Sequence, residues 1–218
     1  MSSAVYFIHA DFTAEGAEER RGGEEEEGKK EEESFWCVSA PTCAVAQGRE
    51  NRPMANVKNL RLVLARQPEV DLPPGIELRH YVGAADIEAW LDLRGRAFAR
   101  EKLGVGQWDA GDFEREFLSK PWWSPERMWL AQSTQTDGLS QVVGTVTWAD
   151  RGVTPEAKAA VHWLAVLPGY RRRGIGRLLL ETLHWACWDA GHREIYLETH
   201  VAWAGAARLY TSLGYRPV

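Results

Sequence analysis

The sequence predicts an α/β (α+β) domain built on a mixed sheet with helices around it, and three observations predict it. Short strand-like runs dominate the first part of the domain, and strand-like and helix-like runs alternate in the rest. Between Val161–Val166, which reads as a strand, and Arg177–Ala190, which reads as a helix, stands the loop Arg171-Arg172-Arg173-Gly174-Ile175-Gly176. A glycine loop that turns a strand into a helix is the usual joint of such folds.

The elements follow in order. Residues 54–75 read as a short lead-in in which Leu60, Leu62 and Leu64 alternate as in a strand, ending at Leu72-Pro73-Pro74-Gly75, a breaker and therefore a boundary. The domain proper is expected over 76–218. Ile76 to Tyr81 alternates apolar and polar residues and is its first strand. Asp86 is a candidate N-cap for a helix carrying Ile87, Trp90, Leu91, Leu93, Arg94, Ala97 and Phe98. Asp109 to Leu118 is a second amphipathic segment that brings Phe113, Glu116 and Phe117 together before Pro121-Trp122-Trp123-Ser124-Pro125 stops it. Met128–Ser133 and Val142–Trp148 predict an antiparallel hairpin around the polar turn Gln135-Thr136-Asp137-Gly138. The loop is followed by a helix with the apolar stripe Leu178, Leu179, Leu183, Ala186 and Ala190, closed by Gly191 at C′. Ile195–Thr199 is another strand, Gly205–Ser212 another helix, and Tyr215–Val218 the start of a last strand, short enough that a second subunit could complete the sheet edge.

Charge divides the chain unevenly. Residues 1–53 hold twelve acidic and six basic residues, whereas residues 54–218 hold nineteen and twenty, so the acidity belongs to the leader. Its Glu24–Glu33 run cannot bury enough apolar surface to offset its ordering entropy, and disorder is expected there. Met54 starts a more ordinary sequence and is a candidate initiator, which would make residues 1–53 a product of gene-start choice; the alternative is an acidic interaction tail. Cys37 and Cys43 fall in the leader, leaving Cys187 alone in the domain and no disulfide framework there. No run of 18 apolar residues exists and no targeting segment is recognisable, so a cytoplasmic protein with no membrane partner is expected. The near-neutral domain, with its arginines confined to one loop, argues against nucleic acid. The six histidines form no His-x-x-x-His pair and join no cysteine cluster, so no metal site is expected.

The loop carries the chemistry. Glycines let backbone N–H groups approach an anion, the following helix directs its positive end at the same point, and three arginines add charge. The Walker spacing is absent, and no third glycine completes a dinucleotide fingerprint. Upstream, Val166-Leu167-Pro168-Gly169-Tyr170-Arg171 matches a V-x-P-x-x-R approach, and downstream Ala206-Ala207-Arg208-Leu209-Tyr210-Thr211-Ser212-Leu213-Gly214-Tyr215 matches A-x-x-L-Y-x-x-x-G-F/Y. In these motifs, their order and their spacing the chain resembles the GNAT family of N-acetyltransferases. The resemblance implies a mixed, mostly antiparallel sheet flanked by helices, and transfer of an acetyl group from acetyl-CoA to a primary amine by direct attack on the thioester.

By that resemblance Leu164, Ala165 and Val166 would pair with the pantetheine arm, and Arg171, Arg172, Arg173, Gly174, Ile175, Gly176 and Arg177 would surround the diphosphate. Tyr210 occupies the place of a general acid that protonates the leaving thiolate, a role that suits a phenol neutral at pH 7. The chain departs from the family in having Trp203 where an Asn often bonds the cofactor arm. For the general base the residues leave three candidates: His162, on the strand beside the arm and suited by an ordinary pKa near 6.5, and its rivals Glu198 and His200. Each is equally readable as a sheet residue with a structural partner. The ten tryptophans of residues 54–218 suit an apolar core, and alternatively an acceptor pocket or ammonium cage. The acceptor is expected to be a small-molecule or peptide amine and the assembly a possible homodimer. A non-catalytic acyl-CoA-binding or sensing domain is the alternative function, and an interaction protein acting through its acidic leader a third.

Overall fold

The computed structural model describes residues 57–98, 107–134, 138–151 and 158–218. The leader and the turn residues Gln135, Thr136 and Asp137 lie outside the described residues.

Seven strands form one sheet in the order β2-β3-β4-β5-β6-β1-β7. They are β1 (Val57–Val63), β2 (Ile76–His80), β3 (Met128–Thr134), β4 (Ser140–Arg151), β5 (Lys158–Val166), β6 (Glu194–His200) and β7 (Arg216–Pro217). Every neighbouring pair is antiparallel apart from β5 and β6, which are parallel. The lead-in segment supplies β1, whose Leu60 and Leu62 are buried while Arg61 and Val63 are exposed, the alternation of a half-covered strand. It lies inside the sheet, from Val57↔His200 to Val63↔Glu194 against β6 and at Leu60↔Pro217 and Arg61↔Arg216 against β7. β7 extends the sheet by two residues, and the Val218 N–H adds a bond to Asn59 O at 3.1 Å.

Helix α1 spans Ala84–Phe98, α2 Ala110–Phe113, α3 Ile175–Asp189 and α4 Ala204–Ser212. Asp86 does not cap α1. The helix begins two residues earlier, and the buried Asp86 carboxylate turns back to accept the Val82 N–H at 2.7 Å and to pair with Arg79 at 2.5 and 2.8 Å. Burial alone would raise this carboxyl, but the Arg79 and Val82 contacts hold it below its ordinary range. At α2 the capping box is complete: Asp109 accepts from the Asp112 N–H, and Asp112 accepts from the Asp109 N–H, each at 2.9 Å. The chain then widens into a π-helical turn, Glu114–Leu118, whose Ser119 N–H reaches Glu114 O. The extra residue in that turn buries Glu116 and Phe117 side by side, and Phe117 lies 4.7 Å from Phe113 between ring centroids.

Helix α3 covers the sheet with Leu178, Leu179, Leu180, Leu183 and Cys187, each essentially inaccessible. At about 2 kcal/mol per buried leucine this stripe anchors the helix that carries the loop. The approach is close at Gly144 of β4, where a Cβ would stand 3.0 Å from both Ile175 Cγ2 and Leu179 Cδ1. Gly191, at φ +88°, ends α3, with bonds from its own N–H to Trp188 O and from the His192 N–H to Cys187 O.

Candidate active site

The parallel pair β5 and β6 shares a ladder only at Ala159↔Ile195 and Ala160↔Tyr196. Beyond that point the strands part, so the β6-facing edge of β5 from Val161 to Val166 keeps no ladder partner in β6. Between them opens a cleft of about 780 Å³, walled by Val161, Trp163, Leu164, Ala165 and Val166 of β5 and by Leu197 and Glu198 of β6. Unpaired strand edges are costly unless something bonds them, and an extended amide-bearing ligand is a natural occupant.

On its other edge β5 carries a bulge. Thr145 pairs with Ala165 and Thr147 with His162, so Val146 faces two residues, Trp163 and Leu164. Trp163 adopts φ +50° to accommodate it, which costs about 1–2 kcal/mol for a residue with a Cβ. The usual strand alternation fails there. His162 and Trp163, consecutive in sequence, both reach the buried Glu116: His162 Nε2 lies 2.9 Å from Glu116 Oε1, off the line of a good hydrogen bond, and Trp163 Nε1–H donates to the same oxygen at 3.0 Å. Burial would raise the Glu116 carboxyl, yet His162, Trp163 and Lys120 together hold it below its usual value.

The loop follows the cleft's other end. Gly174 at φ +84° is the N-cap of α3, and Arg172 at φ +65° also takes a left-handed turn. A Cβ on Gly176 would stand 3.1 Å from Leu209 Cδ2, so the first turn of α3 and the side of α4 pack closely here. Arg171, Arg172, Gly174, Gly176 and Arg177 enter the cleft wall. Arg171 also ties the loop to its surroundings, donating to Val166 O at 3.1 Å and to Ala97 O at 2.7 Å. Arg177 bonds Glu181 and Ser212, and Arg173 stacks over the Tyr170 ring at 5.0 Å. Ile175 is a core residue on the inner side of α3.

Tyr210 lines the same cleft from α4 with 6 % of its surface exposed, and burial pushes its phenol well above the ordinary value. It is fixed by the end of its own helix: the Tyr215 N–H reaches Tyr210 O, the Gly214 N–H reaches Thr211 O, and the two tyrosine rings meet edge to face at 5.7 Å. Glu198 also stands in the wall, its carboxyl raised by burial against the opposing pull of Arg151. The other two base candidates lie elsewhere. His162 is packed among Phe117, Trp122 and Glu116, away from the cleft wall, and His200 Nδ1 accepts the Ala202 N–H at 3.1 Å in the turn after β6. Trp203 is in the wall, and its Nε1–H has no partner among the described residues.

The tryptophans are mainly core. Trp90, Trp129, Trp148 and Trp163 are buried, and Trp108, Trp122 and Trp123 are half-buried against them. An aromatic cage does exist, but the chain fills it itself: the buried Arg94 guanidinium lies 4.1 Å from the Trp108 ring and 5.0 Å from that of Trp163. Burial lowers that guanidinium to about 10, against the pull of Asp112 and Glu116. Ala97, Phe98, Arg208 and Ser212 join the wall without having been singled out in the sequence. Arg208 and Ser212 had a signal, their place in the motif around Tyr210; Ala97 and Phe98 come from a helix far away in the chain. Among the described residues no group of three His, Cys, Asp or Glu side chains could hold a metal, and no helix is long and apolar enough to cross a membrane.

The profile of the acetyltransferase (GNAT) family matches residues 87–215. Mycothiol acetyltransferase of Thermomonospora curvata is 34% identical over 149 residues, which are 68% of this chain and 46% of that protein. That of Thermobispora bispora is 32% identical over 148 residues, covering 68% and 49%. The chain thus spans about half the length of these relatives. The crystal structure of a GCN5-related N-acetyltransferase from Sphaerobacter thermophilus superposes with a TM-score of 0.60 at 25% identity, over 77% of this chain and 50% of that one. With the parted β5–β6 pair, the glycine loop at the start of α3 and the match across the whole segment that builds them, the chain belongs to the GNAT family of acetyltransferases.

Proposed function

We propose that the chain is an N-acetyltransferase that moves an acetyl group from acetyl-CoA to a primary amine. The observation that carries this reading is the cleft opened by the parting of β5 and β6, with the loop Arg171–Gly176 at one end and Tyr210 and Glu198 in its wall. The residues present suit such a donor: Gly174 and the first turn of α3 offer backbone N–H groups to a diphosphate, and Arg171, Arg172 and Arg177 add positive charge. The free edge of β5 at Leu164 and Val166 offers backbone partners to the amides of the pantetheine arm, and Trp203 Nε1–H supplies a donor where relatives of the fold use an amide. When bound, acetyl-CoA supplies an activated acyl carbon. Glu198, its carboxyl raised by burial, accepts the proton of the attacking amine, and Tyr210 keeps its proton until the thiolate departs, then donates it.

The burial of Tyr210 favours one second reading, a domain that binds acyl-CoA without turnover. Thiol release with a panel of amines separates the two. The panel begins with mycothiol-related amines, because similar proteins bear that name, and extends to amino sugars, amino acids and peptides. Amine-dependent release, reduced about 10²-fold or more by Tyr210→Phe with the KM for acetyl-CoA unchanged, is the expected result. Tight acetyl-CoA binding without release for any amine refutes the enzyme and leaves the binding domain.

A further inference from the structure

The cleft has a closed end as well as a phosphate end. β5 and β6 rejoin at Ala160↔Tyr196, and next to that junction the wall is Val161, Trp163 and Leu197. Trp163 is the largest of these and 2 % exposed. Its indole is wedged edge to face against Phe98 at 6.0 Å, Trp90 at 5.5 Å and Trp108 at 4.9 Å, and its Nε1–H is held by Glu116. A tryptophan in a left-handed backbone conformation, bonded to a buried carboxylate and flanked by three rings, cannot swing aside as a lone surface indole could. Strand rise sets its position: at about 3.3 Å per residue, Trp163 lies about 10 Å up β5 from Val166, the end nearest the loop.

We infer that Trp163, locked by Glu116, is the wall that restricts the donor to a short acyl chain. The inference rests on the acyl-CoA reading of the cleft. A thioester whose diphosphate lies on the loop directs its acyl group along β5 toward this indole. Added methylenes meet a ring with no room to yield, because the space behind it is filled by Trp90, Trp108 and the Arg94 guanidinium. Removal of the indole opens the cleft toward the rings of Trp90 and Trp108, and glycine relieves the left-handed backbone at the same time.

The test is a chain-length series of acetyl-, butyryl-, hexanoyl- and octanoyl-CoA, titrated calorimetrically into the full chain and into Trp163→Gly and Trp163→Phe. For the parent, affinity falls along the series, on the order of tenfold or more by octanoyl. In Trp163→Gly the octanoyl-to-acetyl ratio rises by about tenfold or more, and in Trp163→Phe, which keeps a ring but loses the bond to Glu116, it rises by less. Equal affinity of the parent for acetyl- and octanoyl-CoA overturns the inference, and this measurement stands even if Trp163→Gly does not fold. An unchanged ratio in a folded Trp163→Gly that binds acetyl-CoA overturns it too, and leaves the acyl-CoA site intact. Failure of the parent to bind any member of the series overturns the acyl-CoA reading itself.

Discussion

Gly174 is the position at which the loop can be tested most sharply, because a substitution there adds two separable effects. The residue sits at φ +84°, ψ −14°, and a Cβ would lie 3.3 Å from Pro73 Cγ. Alanine therefore introduces left-handed strain of about 1–2 kcal/mol, which for a chain of this size lowers Tm by about 3–6 °C. Glutamate adds a charge to the same strain. A carboxylate about 5 Å from one phosphate charge, at an effective dielectric of about 20, repels it by about 3 kcal/mol, and partial escape of the side chain into water leaves about half of that. Gly174→Glu is thus expected to bind acetyl-CoA about 10- to 100-fold more weakly than Gly174→Ala at equal Tm, with the gap shrinking in 1 M salt. Calorimetric titration beside thermal melts reads both quantities. If the two variants lose affinity equally, repulsion plays no part and no anion sits at Gly174; if neither loses affinity, the loop is not the cradle.

Two buried groups give pH signatures. Burial lowers the His184 imidazole to about 3, and its Nε2 lies 2.8 Å from Tyr215 Oη. Because the unfolded chain takes up this proton near pH 6.5 and the folded one does not, stability falls as pH drops from about 6.5 toward 3, by up to about 1.4 kcal/mol per unit. Urea melts at pH 7, 5 and 4 should show that slope reduced in His184→Leu/Tyr215→Phe, which leaves no unpaired hydroxyl, and an unchanged slope would remove His184 from the account. Glu116 acts lower on the scale: its folded value is depressed, so its contribution is present above the unfolded value of about 4.3 and is lost as pH falls through the folded one. Glu116→Gln should melt lower at pH 7 and lose stability less steeply below about pH 4, and parallel acid limbs for variant and parent would refute the assignment.

How much of this was legible depends on the range of the interactions. The α3 stripe, its Gly191 stop and the loop at Gly174 are local patterns, written in residues a few places apart, and the structure buries Leu178, Leu179 and Leu183 as the spacing suggested, while Ala190 falls at the exposed C-cap. Phe113, Glu116 and Phe117 also come together as the helical spacing suggested, although a π-helical turn does the placing. Asp86 shows the limit of local rules. An aspartate before an apolar run reads as a cap, but Arg79, seven residues back on a neighbouring strand, draws it into an ion pair inside the first turn. His162 shows another: consecutive strand residues ordinarily face opposite ways, and the bulge, with no glycine to announce it, turned His162 and Trp163 both toward Glu116.

By itself the sequence determined the family, the loop, the order of most strands and helices along the chain and the candidate acid, since each is carried by short-range periodicity or by a motif of fixed spacing. Only the tertiary structure decided that β1 lies inside the sheet between β6 and β7, that β5 and β6 part after two paired positions, that Arg171 bonds a carbonyl 74 residues away at Ala97, and that Arg94 fills the aromatic cage. These are contacts between segments distant in the chain. They are selected by the packing and hydrogen bonding of the whole core, and no local pattern encodes which distant partner will satisfy a buried edge, charge or ring.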